Sequence, residues 1–182
     1  MNILKMFQSE DPMYDPTIFE NLKVAFENHI YDLDNIDRII TIMNRVDRID
    51  LSVLAREFSI QFALVDQPEV TAEIVLEASL QDLAGEILEW TEINPGCSIT
   101  LRFYKHINNT AIQCKKVEQA LNSIWESDIE LTQTLSFVYG EESGYMDTID
   151  ARFKHKINEE NMNEIGEFLD HVLKTLEELS DI

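Results

Sequence analysis

The chain has 182 residues, of which 35 are acidic and 14 basic, for a formal net charge of −21 at neutral pH. Its 45% apolar and 27% charged content, with five glycines and four prolines, excludes a disordered, collagenous or low-complexity class. No run approaches the ~18 apolar residues of a membrane-spanning helix, and so strong an acidity disfavours direct binding to nucleic acid or to anionic membrane.

These bounds predict one α+β domain over residues 15–182 behind a loose lead-in at 1–14. Met1 to Glu10 lack the apolar region and cleavage site of a signal peptide. Cys97 and Cys114 read as reduced thiols rather than a disulfide framework. The expectation is therefore a cytoplasmic protein.

Asp15-Pro16 suits a helix start, and Thr17 with Glu20 offers a capping box. Phe19, Leu22, Phe26, His29 and Leu33 recur at helical spacing, which predicts a helix over 16–31. Residues 36–57 fit two patterns. Arg38 to Ile42 is β-branched and favours a hairpin turning at Asp47-Arg48, whereas Ile39, Ile42, Val46, Ile49 and Val53 also fit a helix. The helical alternative would place Leu51 to Phe58 in a helix-turn-helix beside a local cluster of Arg38, Arg45, Arg48 and Arg56.

Phe58, Ile60, Phe62 and Leu64 alternate with polar or small residues, and Val70, Ala72, Ile74 and Leu76 do the same after Asp66-Gln67-Pro68, so two strands are expected. Leu80, Leu83, Ala84, Ile87 and Leu88 switch to helical spacing. Ile99, Leu101 and Phe103 form a further strand. Asn108-Asn109 reads as a turn, Ala111 to Lys115 as a return strand and Val117 to Trp125 as a short helix. Leu131, Leu135 and Phe137, then Ile149, Ala151 and Phe153, predict a last hairpin across Gly140 to Gly144. The architecture implied is a mostly antiparallel sheet of successive hairpin-then-helix units, with the helices on one face.

From Asn158 a long amphipathic helix closes the chain. Met162, Ile165, Leu169, Val172, Leu176 and Leu179 recur at alternating steps of 3 and 4. Such a stripe can dock on its own sheet or serve as a homodimer seam; Phe168 and Leu173 widen it and favour the first.

Charge is segregated. The helices carry acids, while cations gather on the later strands, with Arg102, Tyr104, Arg152, Lys154 and Lys156 as the candidate partner-binding set on a polar sheet face. An exposed polar face needs no partner, so this set competes with simple solvation.

Signatures of chemistry are missing. No glycine-rich phosphate loop, HExxH, GxSxG or paired CxxC occurs, and no cofactor or metal is expected. Asp32 to Asp37 only superficially resembles the start of a calcium loop. His29, His106, His155 and His171 show no ligand spacing, with His155 expected at the inner edge of the sheet. Trp90 and Trp125 read as core anchors. Three functions follow in order of preference. The first is a non-catalytic module binding another protein, as an adaptor, regulator, dedicated chaperone or inhibitor. The second is a nucleic-acid mimic blocking a DNA-binding enzyme. The third is an enzyme or small-ligand binder whose pocket, lined by Phe62, Phe103, Phe137 and Phe153, lies between the sheet and the last helix.

Overall fold

The structure, a computed structural model, describes residues 17–89, 94–126, 128–140 and 144–182. The lead-in, the Asp15-Pro16 start, Trp90 and the centre of the Gly140–Gly144 turn lie outside the described residues.

Helix α1 (Ile18–Asn35) leads into β1 (Ile40–Asp50), β2 (Ala55–Leu64) and β3 (Val70–Ala78). Helix α2 (Leu80–Ile87), β4 (Ser98–Ile107) and α3 (Thr110–Trp125) follow. Strands β5 (Ile129–Ser136) and β6 (Tyr145–Phe153) come next, then a 3-10 helix (Glu159–Glu164) and α4 (Ile165–Ser180). The six strands form one antiparallel sheet in the order β1-β2-β3-β4-β6-β5. The α+β class and the long C-terminal helix are as expected.

Strand alternation sends Phe58, Ile60 and Phe62, Ala72, Ile74 and Leu76, and Leu101 and Phe103 to one face. Phe19, Leu22, Phe26 and Ile30 of α1 cover that face together with Ile165, Leu169, Val172, Leu176 and Leu179 of α4. Burying each such side chain contributes roughly 1.5–3 kcal/mol. The a/d stripe of the last helix is therefore consumed inside this chain; Met162 packs on the rim of the same core. A dimer seam would need those residues free.

Helix starts are set by short polar side chains. Thr17 Oγ1 accepts from Glu20 N, Ser79 and Asp82 form a reciprocal capping box, and Asn158 caps the 3-10 turn.

Three expectations are corrected. Residues 36–57 do form a hairpin, but Asp47 and Arg48 lie within β1, opposite Phe58 and Glu57. The chain turns at 51–54 instead, where Asp50 Oδ1 accepts from Ser52 N at 2.8 Å and Leu54 adopts φ 52°. Ala111 to Lys115 is the first half of α3, not a strand. Asn109 Oδ1 accepts from Ile112 N at 3.2 Å, and Gln113 Oε1 accepts from the backbone of Asn108 and Asn109 at 2.8 and 2.9 Å. These bonds satisfy helix-start donors that a strand would not present. The middle unit is consequently one strand followed by a helix. Lastly, the four phenylalanines line no common pocket: Phe62 and Phe103 are fully buried, whereas Phe137 is 66% exposed at a hairpin end.

Candidate protein-interaction surface

The open face of the sheet carries part of the expected cationic set. Arg102 lies between Glu73 of β3 and Asp150 of β6 in the register. Its Nε donates to Asp150 Oδ1 at 2.6 Å and its Nη1 to Glu73 Oε2 at 3.4 Å. Tyr104 OH donates to the same Glu73 oxygen at 2.8 Å. Burial, reinforced by the adjacent Glu73 carboxylate, pushes the Tyr104 hydroxyl above its usual range. The Arg102 charge is thus already met by two carboxylates on its own sheet. Arg152 shares this face and is exposed, opposite Thr100 and Glu130.

The other two cations are placed elsewhere. Lys154 lies past the end of β6, and its backbone N–H donates to Asp128 O at 3.0 Å. Lys156 Nζ reaches Asp82 of α2 at 2.6 and 2.8 Å. Burial works against the Asp82 carboxylate, but Lys156 and Ser79 hold its carboxyl below the ordinary value. The five residues do not form one patch. His155 is exposed rather than at the inner edge, because the strand ends at Phe153.

Three of the four clustered arginines, Arg45, Arg48 and Arg56, are also paired. Arg45 bonds Glu27, Arg56 bonds Glu20, and Lys23 holds Glu20 and Asp47 at 2.6 and 2.9 Å. Arg48 pairs with Glu57 at 2.9 Å. The Arg56 guanidinium lies 4.5 Å from the Phe19 ring centre and that of Arg45 5.5 Å from Phe58.

None of the ion pairs among the described residues involves α4. Between Glu159 and Asp181 the chain carries eight carboxylates (Glu159, Glu160, Glu164, Glu167, Asp170, Glu177, Glu178 and Asp181) against one cation, Lys174, and all eight are exposed. Three of them, Glu177, Glu178 and Asp181, stand at the end of the helix, where the dipole is itself negative and no basic residue occupies the last turn. An acidic surface without ion pairs among the described residues therefore covers the outside of the last helical segment, although Glu159 accepts from Asn21, Glu164 accepts from Asn161 at 3.1 Å, and Glu177 and Asp181 share a hollow with Arg38. Sequence reading located those acids but not their isolation from the cations, which depends on pairings between elements distant in the chain.

Neither cysteine has the lowered thiol of an activated nucleophile. Cys97 is buried and its thiol is pushed up to about 12 by that burial, with Asp82 and Glu86 acting in the same direction. A reactive thiol needs the opposite shift. Cys114 is free and half-buried, and burial raises its thiol too. Among the described residues no group of three or more His, Cys, Asp or Glu could hold a metal ion, and no helix is long and apolar enough to cross a membrane.

No family model, curated protein or solved structure matches the chain. Its function must therefore be argued from its own residues.

Proposed function

We propose that the chain is a non-catalytic binding module that holds a basic segment of another protein against the acidic surface of its C-terminal helical segment. The observation that carries this reading is the segregation of charge. Lys23, Arg45, Arg48, Arg56, Arg102 and Lys156 are spent in ion pairs on the sheet, α1 and α2, while the eight exposed carboxylates between Glu159 and Asp181 enter none and have a single lysine in the same stretch of chain. Surface acids placed for stability would avoid the end of a helix, where each costs about 0.3–1 kcal/mol. Like-charged surfaces steer an oppositely charged partner and reject wrong ones.

The test is calorimetric titration with nona-arginine. Binding should weaken steeply from low salt to about 0.3 M, as exposed charges become screened. Replacing Glu167, Asp170, Glu177 and Glu178 by their amides should weaken it by about tenfold or more, since each lost surface attraction contributes a few tenths of a kcal/mol. Absence of binding at low salt, or binding that the amide variant leaves unchanged, would reject the proposal.

A further inference from the structure

A hollow of about 440 Å³ opens where the end of α3, the end of β6 and the start of α4 meet. Trp125, Phe153, Phe168 and His171 line it. The ring of Trp125 lies 5.2 Å from Phe153 and nearly perpendicular to it, and 5.4 Å from Phe168; Phe153 and Phe168 are 5.5 Å apart. The floor is fixed from behind. Trp125 Nε1–H donates to Thr175 Oγ1 at 3.0 Å, and that hydroxyl donates to the His171 carbonyl at 2.7 Å. His171 Nδ1–H donates to the Glu167 carbonyl at 2.8 Å.

Around this aromatic floor stand the exposed carboxylates of Glu126, Asp128, Glu164 and Glu167. Among the described residues no lysine or arginine lines the hollow. In this it differs from two other hollows on the surface. One includes Arg38 in its wall and the other Arg48 and Arg56, so each already holds cationic charge.

The chain itself shows what such a combination accommodates. Arg56 lies over Phe19 while bonding Glu20, and Arg45 lies over Phe58 while bonding Glu27. In both places a guanidinium is shared between an aromatic ring and a carboxylate. The hollow offers the same two halves, with several rings and four carboxylates. A guanidinium suits it better than an ammonium, because it is planar, weakly hydrated, stacks on rings and forks onto carboxylates. From this geometry we infer that the hollow is a site for one arginine side chain of the partner, laid against Trp125, Phe153 and Phe168 with its fork turned to Glu164 and Glu167. This rests on the reading of the chain as a binder of basic protein segments and names the anchor within it.

Trp90→Phe leaves Trp125 as the single tryptophan reporter. N-acetylarginine amide should then change Trp125 emission saturably in the millimolar range, as expected of a lone cation–π and ion-pair contact. N-acetylcitrulline amide, of the same shape without the charge, should not. Nona-arginine should produce the same emission change at lower concentration, and Glu164→Gln with Glu167→Gln should weaken both responses by about fivefold or more. If nona-arginine binds by calorimetry without moving Trp125 emission, or if citrulline acts like arginine, the hollow is not the anchor and the acidic-module reading stands alone. If nona-arginine does not bind at all, both fall.

Discussion

Asp147 gives the sharpest test of the packing. It sits on the inner face of β6, fully buried, and neither carboxylate oxygen has a hydrogen-bond partner. Lys105 lies directly opposite in the register but makes no ion pair with it; the anion acting on Lys105 is Glu69. Gln133, also on the inner face, has its own side-chain oxygen buried and unpartnered. Burial alone pushes the Asp147 carboxyl up from 3.8 to about 6. A raised carboxyl favours the protonated form in the folded state. Its contribution is fully present below the unfolded value of 3.8 and is lost as pH rises through about 6. The shift of about two units corresponds to a penalty of about 3 kcal/mol at pH 7, roughly half of it at pH 5 and about 0.5 kcal/mol at pH 4. Asp147→Asn removes the titration and keeps the shape. Urea unfolding of both proteins across this range should show the variant gaining on the parent by ~2 kcal/mol between pH 4 and pH 7. The repulsion from the overall charge is shared by both proteins and cancels in the difference. Lys105→Met should leave that gain unchanged. A difference that stays flat with pH would refute the argument, and one that grows when Lys105 is removed would mean that the lysine, not burial alone, governs Asp147.

Four further outcomes are expected. Gly144→Ala should lower stability by at least ~2 kcal/mol in thermal unfolding, because φ is +82° and a Cβ would lie 2.5 Å from the Ile107 carbonyl oxygen. Ser79→Ala should cost ~1 kcal/mol in urea unfolding by removing the cap of α2. Glu178→Lys should raise stability by ~0.5 kcal/mol, by favouring the negative end of α4, while weakening nona-arginine binding in the same titration. Glu126→Gly should raise the urea midpoint, by about 1 kcal/mol of relieved strain at φ 50°, ψ −127°, and reduce the Trp125 response to N-acetylarginine amide.

Much of the fold could be read from alternation. Strands β2 and β3 were plain because one face of each is almost wholly apolar, and α4 because its stripe is consumed by a single sheet. The misplaced hairpin turn has a physical cause. Asp47 and Arg48 look like turn residues only while their partners are unknown; Lys23 and Glu57 satisfy them inside a strand. The real turn, 51–54, is exposed and apolar but for Ser52, so its one sequence signal is Asp50 positioned to bond that serine. Asn109 with Gln113 was a comparable signal for the start of α3. The aromatic hollow was not legible at all. Trp125, Phe153 and Phe168 come from three elements, and each alone fits ordinary core packing. Of the cations proposed to bind a partner, alternation placed Arg102 and Arg152 correctly, but it could not reveal that Glu73 and Asp150 already hold Arg102.

Features that oppose stability occur in several places: the buried Asp147 on β6, positive φ at Arg38, Leu54 and Glu89, and two that lie beside the acidic surface. Ion pairs gather on the sheet, α1 and α2, where Lys23, Arg45, Arg56 and Arg102 each join two elements and Lys156 ties the segment after β6 to α2. Strained backbone at Glu126 and like charge at the end of α4 both fall on the helical segments. Glu126 also stands on the rim of the hollow, next to the tryptophan that forms its floor. On the proposed binding reading, the carboxylates at this end of α3 and along α4 stand beside rings that a partner's arginine would cover. The trade-off predicted for Glu126→Gly is therefore read in the saturable Trp125 response to N-acetylarginine amide, which an acidic surface kept only for solubility would not give.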